Sequence, residues 1–213
     1  NNGAVAAIVD HLVDEDIPQI VVADVTLALG ALAKFVLARI RSESDIKVIG
    51  ITGSNGKTTT KNMLREILSQ VGATIAPIES YNNKVGAPIS ILRIDEQTRY
   101  LIVEMGAAGS GSISYLTDIA QPDIGIILKV GMAHAGEFGG IEQTTKIKSE
   151  LVAGLKENAT AILNADDSRV AEMAALTDCE ILWFGSSSSA QYRFDNPELS
   201  VEGTSFDLIW PDG

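Results

Sequence analysis

The chain has 213 residues, 46% hydrophobic and 21% charged, enough for one large domain with a sizeable core or for one domain plus part of another. Its net charge of -12 is spread along the sequence and opposes nonspecific binding to nucleic acid, so a phosphate-bearing ligand has to be held locally by lysine or metal. Cys179 is the single cysteine, which excludes an internal disulfide and a cysteine-based metal cluster, and no apolar run reaches the roughly 20 residues of a membrane span or forms a signal sequence, so a reducing, cytoplasmic setting is expected.

In chain order, residues 5–9 and 19–23 read as strands and 26–41 as a helix carrying Leu29, Leu32, Phe35 and Val36 inward. These residues look like the tail of a small α/β domain, with the polar stretch 41–45 as a linker. From Lys47 onward, strands at 48–52, 74–76, 101–105, 124–130, 161–164 and 181–184 alternate with helices near 58–71, 113–120, 144–155 and 168–176. The alternation predicts an α/β fold, a mostly parallel sheet with helices on both faces. The near-continuous Val, Ile and Leu of the strands fits a sheet covered on both sides. The final apolar stretch puts Phe206, Leu208 and Trp210 on one face and stops at Pro211-Asp212-Gly213, which reads as half a hairpin ending at its turn. An open apolar edge is a liability, and the native polypeptide is therefore expected to continue beyond Gly213.

Ligands of such sheets gather beyond the carboxyl ends of the strands, so the residues there carry the chemical argument. After the first strand of the alternating region comes Gly53-Ser54-Asn55-Gly56-Lys57-Thr58-Thr59. Strand, glycine loop and helix in this order bring backbone N–H groups, a helix N-terminus and one lysine onto a polyphosphate. The usual phosphate loop has a further glycine five positions before Gly56, where this chain has Ile51, so the loop is short and Gly53 takes the early turn. Glu104 ends a strand too apolar to tolerate an unpaired charge; an ion pair with a nearby lysine is the plain alternative, and the phosphate loop on the same sheet edge favours a Mg2+ ligand. His134 follows the strand at 124–130 and is a candidate metal or phosphate contact, whereas His11 reads as an ordinary solvated histidine. Lys148 sits beside Leu151 and Val152 on a helix, where lysine ordinarily snorkels to water, and Lys146 reads as surface. Asn82 and Asn83 stand in a turn-forming segment whose amides either bond locally or read a substrate. Asn164 and Asp167 read as capping the next helix.

In combination, the loop 52–59, Tyr81-Asn82-Asn83-Lys84-Val85-Gly86-Ala87-Pro88, Glu104-Met105-Gly106-Ala107 and Gly131-Met132-Ala133-His134 resemble the Mur ligases, ATP-dependent amide ligases of peptidoglycan synthesis. The Tyr-Asn-Asn and Glu-Met-Gly-Ala segments most resemble the member that joins D-alanyl-D-alanine to UDP-N-acetylmuramoyl-tripeptide. The resemblance implies residues 1–45 as the end of a UDP-sugar-binding domain and 46–213 as a central ATP-binding domain. The third, closing domain that the resemblance implies is expected to lie outside this stretch, which alone is expected to be inactive as a ligase. It also implies ATP and Mg2+ as cofactors, a monomer, and no nucleic-acid partner. Residue by residue, Gly53 to Thr59 would cradle the ATP phosphates, with Lys57 on the β and γ oxygens and Thr58 on the first Mg2+. Glu104 would share that ion, while His134 and Lys148, as a carbamate, would hold a second. Asn82 and Asn83 would face the muramoyl-peptide. Lys129 departs from the family, which usually has asparagine there. Related ligases of the same superfamily (one adding diaminopimelate or lysine, or a folylpolyglutamate synthase) and a nucleotide-binding module without ligation are the competing functions.

Overall fold

Beyond residue 46 the apolar runs of the sequence become the interior of one sheet. The computed structural model describes residues 3–131 and 139–211. β1 (Ala7–Val9) and β2 (Gln19–Val21) pair in parallel as a separate two-stranded sheet and lead into helix α1 (Val25–Glu43). There follow β3 (Lys47–Thr52), α2 (Lys57–Leu68), β4 (Thr74–Ile75), α3 (Gly86–Ile91), β5 (Tyr100–Glu104), α4 (Ser112–Ala120) and β6 (Ile124–Ile127). The described chain closes with α5 (Ile141–Ala153), β7 (Thr160–Asn164), α6 (Ser168–Glu172), a 3-10 turn (Met173–Leu176), β8 (Glu180–Gly185), β9 (Tyr192–Leu199) and β10 (Thr204–Ile209).

Among the described residues the main sheet has the order β10-β9-β8-β7-β6-β3-β5-β4, with β9–β10 antiparallel and the other pairs parallel. The mostly parallel α/β expectation therefore holds. β3 lies between β5 and β6, so the chain winds out to one side of β3 and returns to the other. That reversal opens a crevice at the carboxyl end of β3.

Period two assigns the faces. Val48, Leu101 and Val103 join Ile113, Ile147 and Leu151 from α4 and α5 in the larger core. Ile49, Ile51, Ile102 and Ile126 turn to the other face, under Leu64 and Leu68 of α2. Glu104 is two residues beyond Ile102, so its side chain emerges on the face that α2 covers.

Four details depart from the sequence reading. α1 buries Gly30, Ala33, Leu37 and Ile40, while Phe35 is 67% exposed and Leu32 also faces outward. The helix lies so close to α4 that a Cβ on Gly30 would collide with the Tyr115 hydroxyl, and small residues win over the bulky stripe. Residues 41–43 are the last turn of α1 rather than a linker, and Arg41 donates to Asp123 Oδ2 (3.0 Å) and to the Gln121 carbonyl (2.7 Å). β6 stops at Ile127: Leu128 O accepts from the Asn164 side chain and Lys129 O from Ser54 N of the glycine loop. β10 pairs back onto β9 through a turn at 200–203, so the hairpin is closed and its turn precedes the last strand.

The buried face of α1 is tested by two substitutions. Leu37→Ala should lower the unfolding free energy by about 2–5 kcal/mol in urea denaturation, and Phe35→Ala by no more than about 0.5 kcal/mol. A larger loss at Phe35 would place the bulky stripe inward after all.

Candidate functional site

Gly56 has φ 85° and ψ -8°, a left-handed conformation that glycine adopts without strain, and it starts α2 with no side-chain cap. The first helical bond runs from Thr60 N to Gly56 O (2.9 Å), which leaves the N–H groups at the head of α2 directed into the crevice. Ser54 fastens this loop to the chain after β6. Its N–H donates to Lys129 O (2.7 Å), its hydroxyl to Gly131 O (3.1 Å), and Gly131 N donates back to the hydroxyl (2.8 Å). Position 129 thus serves the loop through its backbone while its side chain is exposed, which is why a lysine is accommodated there. Lys57 folds over the loop and donates to Gly53 O at 2.9 Å. Burial lowers its pKa, and the Glu104 carboxylate works against that shift. Asn55 and Thr59 are exposed at the mouth of the crevice.

Glu104 is 1% exposed. Thr58 Oγ1 donates to its Oε2 at 3.1 Å, and Asn82 Nδ2 donates to its Oε1 at 2.8 Å. Among the described residues no salt bridge reaches it. Among the described residues, a carboxylate taken this far from water has neutral hydrogen-bond donors and no directly paired cation. The loop residues 54–59, Ser80, Asn82 and Glu104 line an open cleft of about 280 Å3. Among the described residues no three histidine, cysteine or carboxylate side chains gather into a metal cluster. One carboxylate and one hydroxyl beside a phosphate cradle instead suit a hard ion that takes its other ligands from water and phosphate, as Mg2+ does.

The two asparagines have different work. Asn82 is held by Gly106, whose N–H donates to Asn82 O at 2.8 Å and where a Cβ would stand 2.6 Å from Asn82 Oδ1. Asn83 Oδ1 accepts from the N–H groups of Val85 (3.0 Å) and Gly86 (2.9 Å), the local turn that opens α3. Beyond that turn Asn83 borders a second hollow of about 160 Å3 with Lys84, Gly106, Ser112 and Leu116.

Lys148 does not snorkel. It is 3% exposed, and its pKa falls from 10.5 to about 8, chiefly through burial and further through the Lys57 ammonium. Lys146 is exposed, as is His11, which bonds to Asp10 at 2.6 Å. His134 lies outside the described residues.

Four supporting residues were not singled out for this site from sequence. Ser80 Oγ lies 3.3 Å from Thr58 Oγ1, and nothing in its local sequence marks it. Lys61 is buried in α2, and its place on the same helical face as Leu64 was the available signal. Asn164 Nδ2 donates to Leu128 O (2.7 Å) and Asp167 Oδ2 accepts from Val130 N (2.8 Å), so the β7 end braces the β6 loop. Asp167 also caps α6 through Arg169 N, the role its sequence position implied.

Residues 51–213 match the Mur ligase middle domain. The chain is 34% identical over 213 residues to the UDP-N-acetylmuramoyl-tripeptide--D-alanyl-D-alanine ligase of Escherichia coli, covering 99% of the chain and 46% of that protein. The crystal structure of MurF from Acinetobacter baumannii superposes with a TM-score of 0.91 at 37% identity, over 100% of this chain and 46% of that one. MurF ligase from Thermotoga maritima in complex with ADP gives 0.83 at 29% identity, over 97% of this chain and 47% of that one. The chain thus spans about half the length of these relatives.

Lys148 predicts a pH effect whose sign is fixed. Its folded pKa of about 8 lies below 10.5, so between these values the unfolded chain binds more protons and stability rises with pH. Below the folded pKa the destabilisation is complete, on the order of 3 kcal/mol. Lys148→Met should therefore stabilise the protein by about 2–3 kcal/mol at pH 7, with the gain shrinking toward pH 10.5, as read by urea denaturation. A gain independent of pH would contradict the buried ammonium.

Proposed function

The chain belongs to the Mur ligase family through that family's middle domain, and on this premise we propose that it carries the ATP site of a ligase joining D-alanyl-D-alanine to UDP-N-acetylmuramoyl-tripeptide. The observation that carries the proposal is the buried Glu104 carboxylate, 3.1 Å from the Thr58 hydroxyl at the head of α2 and without a salt bridge among the described residues. Around it, Gly53, Ser54, Asn55, Gly56, Lys57, Thr58 and Thr59 would enclose the ATP phosphates, with Lys57 on the β and γ oxygens. Thr58 and Glu104 would hold Mg2+, which neutralises phosphate charge. Lys148, buried and with enough free amine near neutral pH to add CO2, would serve as a carbamate ligand with His134 for a second ion. Asn82 and Asn83 would face the muramoyl-peptide.

The chemistry requires activation because a carboxylate at pH 7 does not condense with an amine. The tripeptide carboxylate oxygen attacks the γ-phosphorus and ADP departs, leaving an acyl phosphate. The D-alanyl-D-alanine amine then attacks the acyl carbon, loses a proton, and phosphate leaves with the C–O bond electrons. Lys57 and the α2 N–H groups stabilise the charge on the transferring group. No protein nucleophile takes part. Residues 1–45 belong, in this reading, to the substrate-binding domain and 46–213 to the ATP-binding domain. A monomer acting in the cytoplasm accompanies the reading, and among the described residues no helix is long and apolar enough to cross a membrane.

In the full-length protein, phosphate release should require both UDP-N-acetylmuramoyl-tripeptide and D-alanyl-D-alanine, and Glu104→Gln should lower kcat by about 100-fold or more. Release driven by diaminopimelate or lysine, or by a folate together with glutamate, instead would assign a related ligase. ATP binding without amide formation would leave a nucleotide-binding module.

A further inference from the structure

The only residue of α2 that is fully buried is a lysine. Lys61 is 1% exposed, and its Nζ donates to the carbonyls of Pro77 (2.9 Å) and Glu79 (3.2 Å). It lies one turn beyond Lys57, above the small apolar cluster that receives Leu64 and Leu68. A leucine or methionine would fill such a place without taking an ammonium out of water, so packing does not account for it. With two of its three donors on carbonyls and its side chain enclosed, Lys61 is not read as a phosphate ligand.

The carbonyls it holds open the segment that runs from β4 toward α3. Further along that segment, Ser80 Oγ stands 3.3 Å from Thr58 Oγ1, and Asn82 Nδ2 donates to Glu104 Oε1 at 2.8 Å. Lys61 therefore ties α2, which presents Thr58, to the segment that orients both Thr58 and Glu104. Its own charge is felt at the site, since burial lowers its pKa first and the Glu104 carboxylate opposes that shift, with Arg65 adding to the lowering.

We propose that Lys61 is a positioning residue that acts through Ser80 and Asn82 on the Thr58–Glu104 pair, and so sets how strongly Mg2+ promotes nucleotide binding. The inference rests on the reading of Thr58 and Glu104 as the Mg2+ ligands. Loss of the ammonium frees the 77–82 segment and misaligns the oxygens that an octahedral ion needs, while the backbone phosphate cradle of the loop is untouched.

The test is calorimetric titration of ATP into the full-length protein, once with Mg2+ and once with EDTA, for wild type, Lys61→Met and Lys61→Gln. Wild type should bind ATP more tightly with Mg2+. In Lys61→Met the EDTA affinity should stay within about twofold of wild type and the Mg2+ enhancement should fall about 10-fold. Lys61→Gln, which keeps one donor, should fall between them and carries the test if Lys61→Met does not fold. In an Asn82→Ala background, Lys61→Met should cause no further loss of enhancement. An undiminished enhancement in the folded Lys61 variants, including a mere drop in Tm, overturns the proposal. A wild type whose ATP affinity ignores Mg2+ overturns the metal-site reading itself, and the proposal with it.

Discussion

Everything at the cleft answers to one constraint, a carboxylate held out of water at the end of an apolar strand. Glu104 follows Leu101, Ile102 and Val103, each fully buried, and is itself nearly inaccessible. Such a group is costly unless donors and a cation surround it. The donors come from two separate places, Thr58 on α2 and Asn82 on the segment before α3. Neither is close to Glu104 in sequence, and the sheet register is what brings them together.

The register does so through β3. Ile51 pairs with Glu104 across β3 and β5, and Thr52 pairs with Ile127 across β3 and β6, so three strand ends come level at one edge. The glycine loop leaves from the middle strand and is fastened to the β6 side by Ser54. On the β5 side, Gly106 lets Asn82 approach so closely that a side chain there would displace it. Braces from Asn164 and Asp167 then hold the β6 loop from behind. A rigid cradle for an anion and a buried carboxylate for its counter-ion follow from ordinary α/β topology, which places ligands at such reversals.

What the sequence revealed followed short-range rules. Near-continuous runs of Val, Ile and Leu marked β3, β5 and β7, and the Gly-Lys-Thr-Thr run marked the loop, because strand composition and phosphate-loop chemistry are local. Contacts between elements were the harder part. The inward face of α1 was misassigned because Leu32 and Phe35 outweigh Gly30 and Ala33 on any hydrophobic count, while the true face is chosen by the closeness of Tyr115. α3 was hidden in a segment whose paired asparagines signalled only a turn, and the turn does exist, one residue pair before the helix. Lys148 pointed two ways: the amphipathic pattern favoured water, and burial against the core decides for the interior. Family likeness carried that residue where periodicity could not. Lys61 bonds the carbonyls of Pro77 and Glu79, and Ser80 approaches the Thr58 hydroxyl, across the connection after β4, contacts for which no spacing rule exists.

The central claim is that Thr58 and Glu104 share one metal ion with a nucleotide held by the loop. Crystals grown with a non-hydrolysable ATP analogue and Mn2+ in place of Mg2+ locate the ion directly by its anomalous scattering. The account predicts a peak bonded to Thr58 Oγ1 and a Glu104 oxygen at a little over 2 Å, with the β- and γ-phosphates against Lys57 and the head of α2. Phosphates in the loop with the ion bound away from Glu104, or no nucleotide in the cleft, would contradict it.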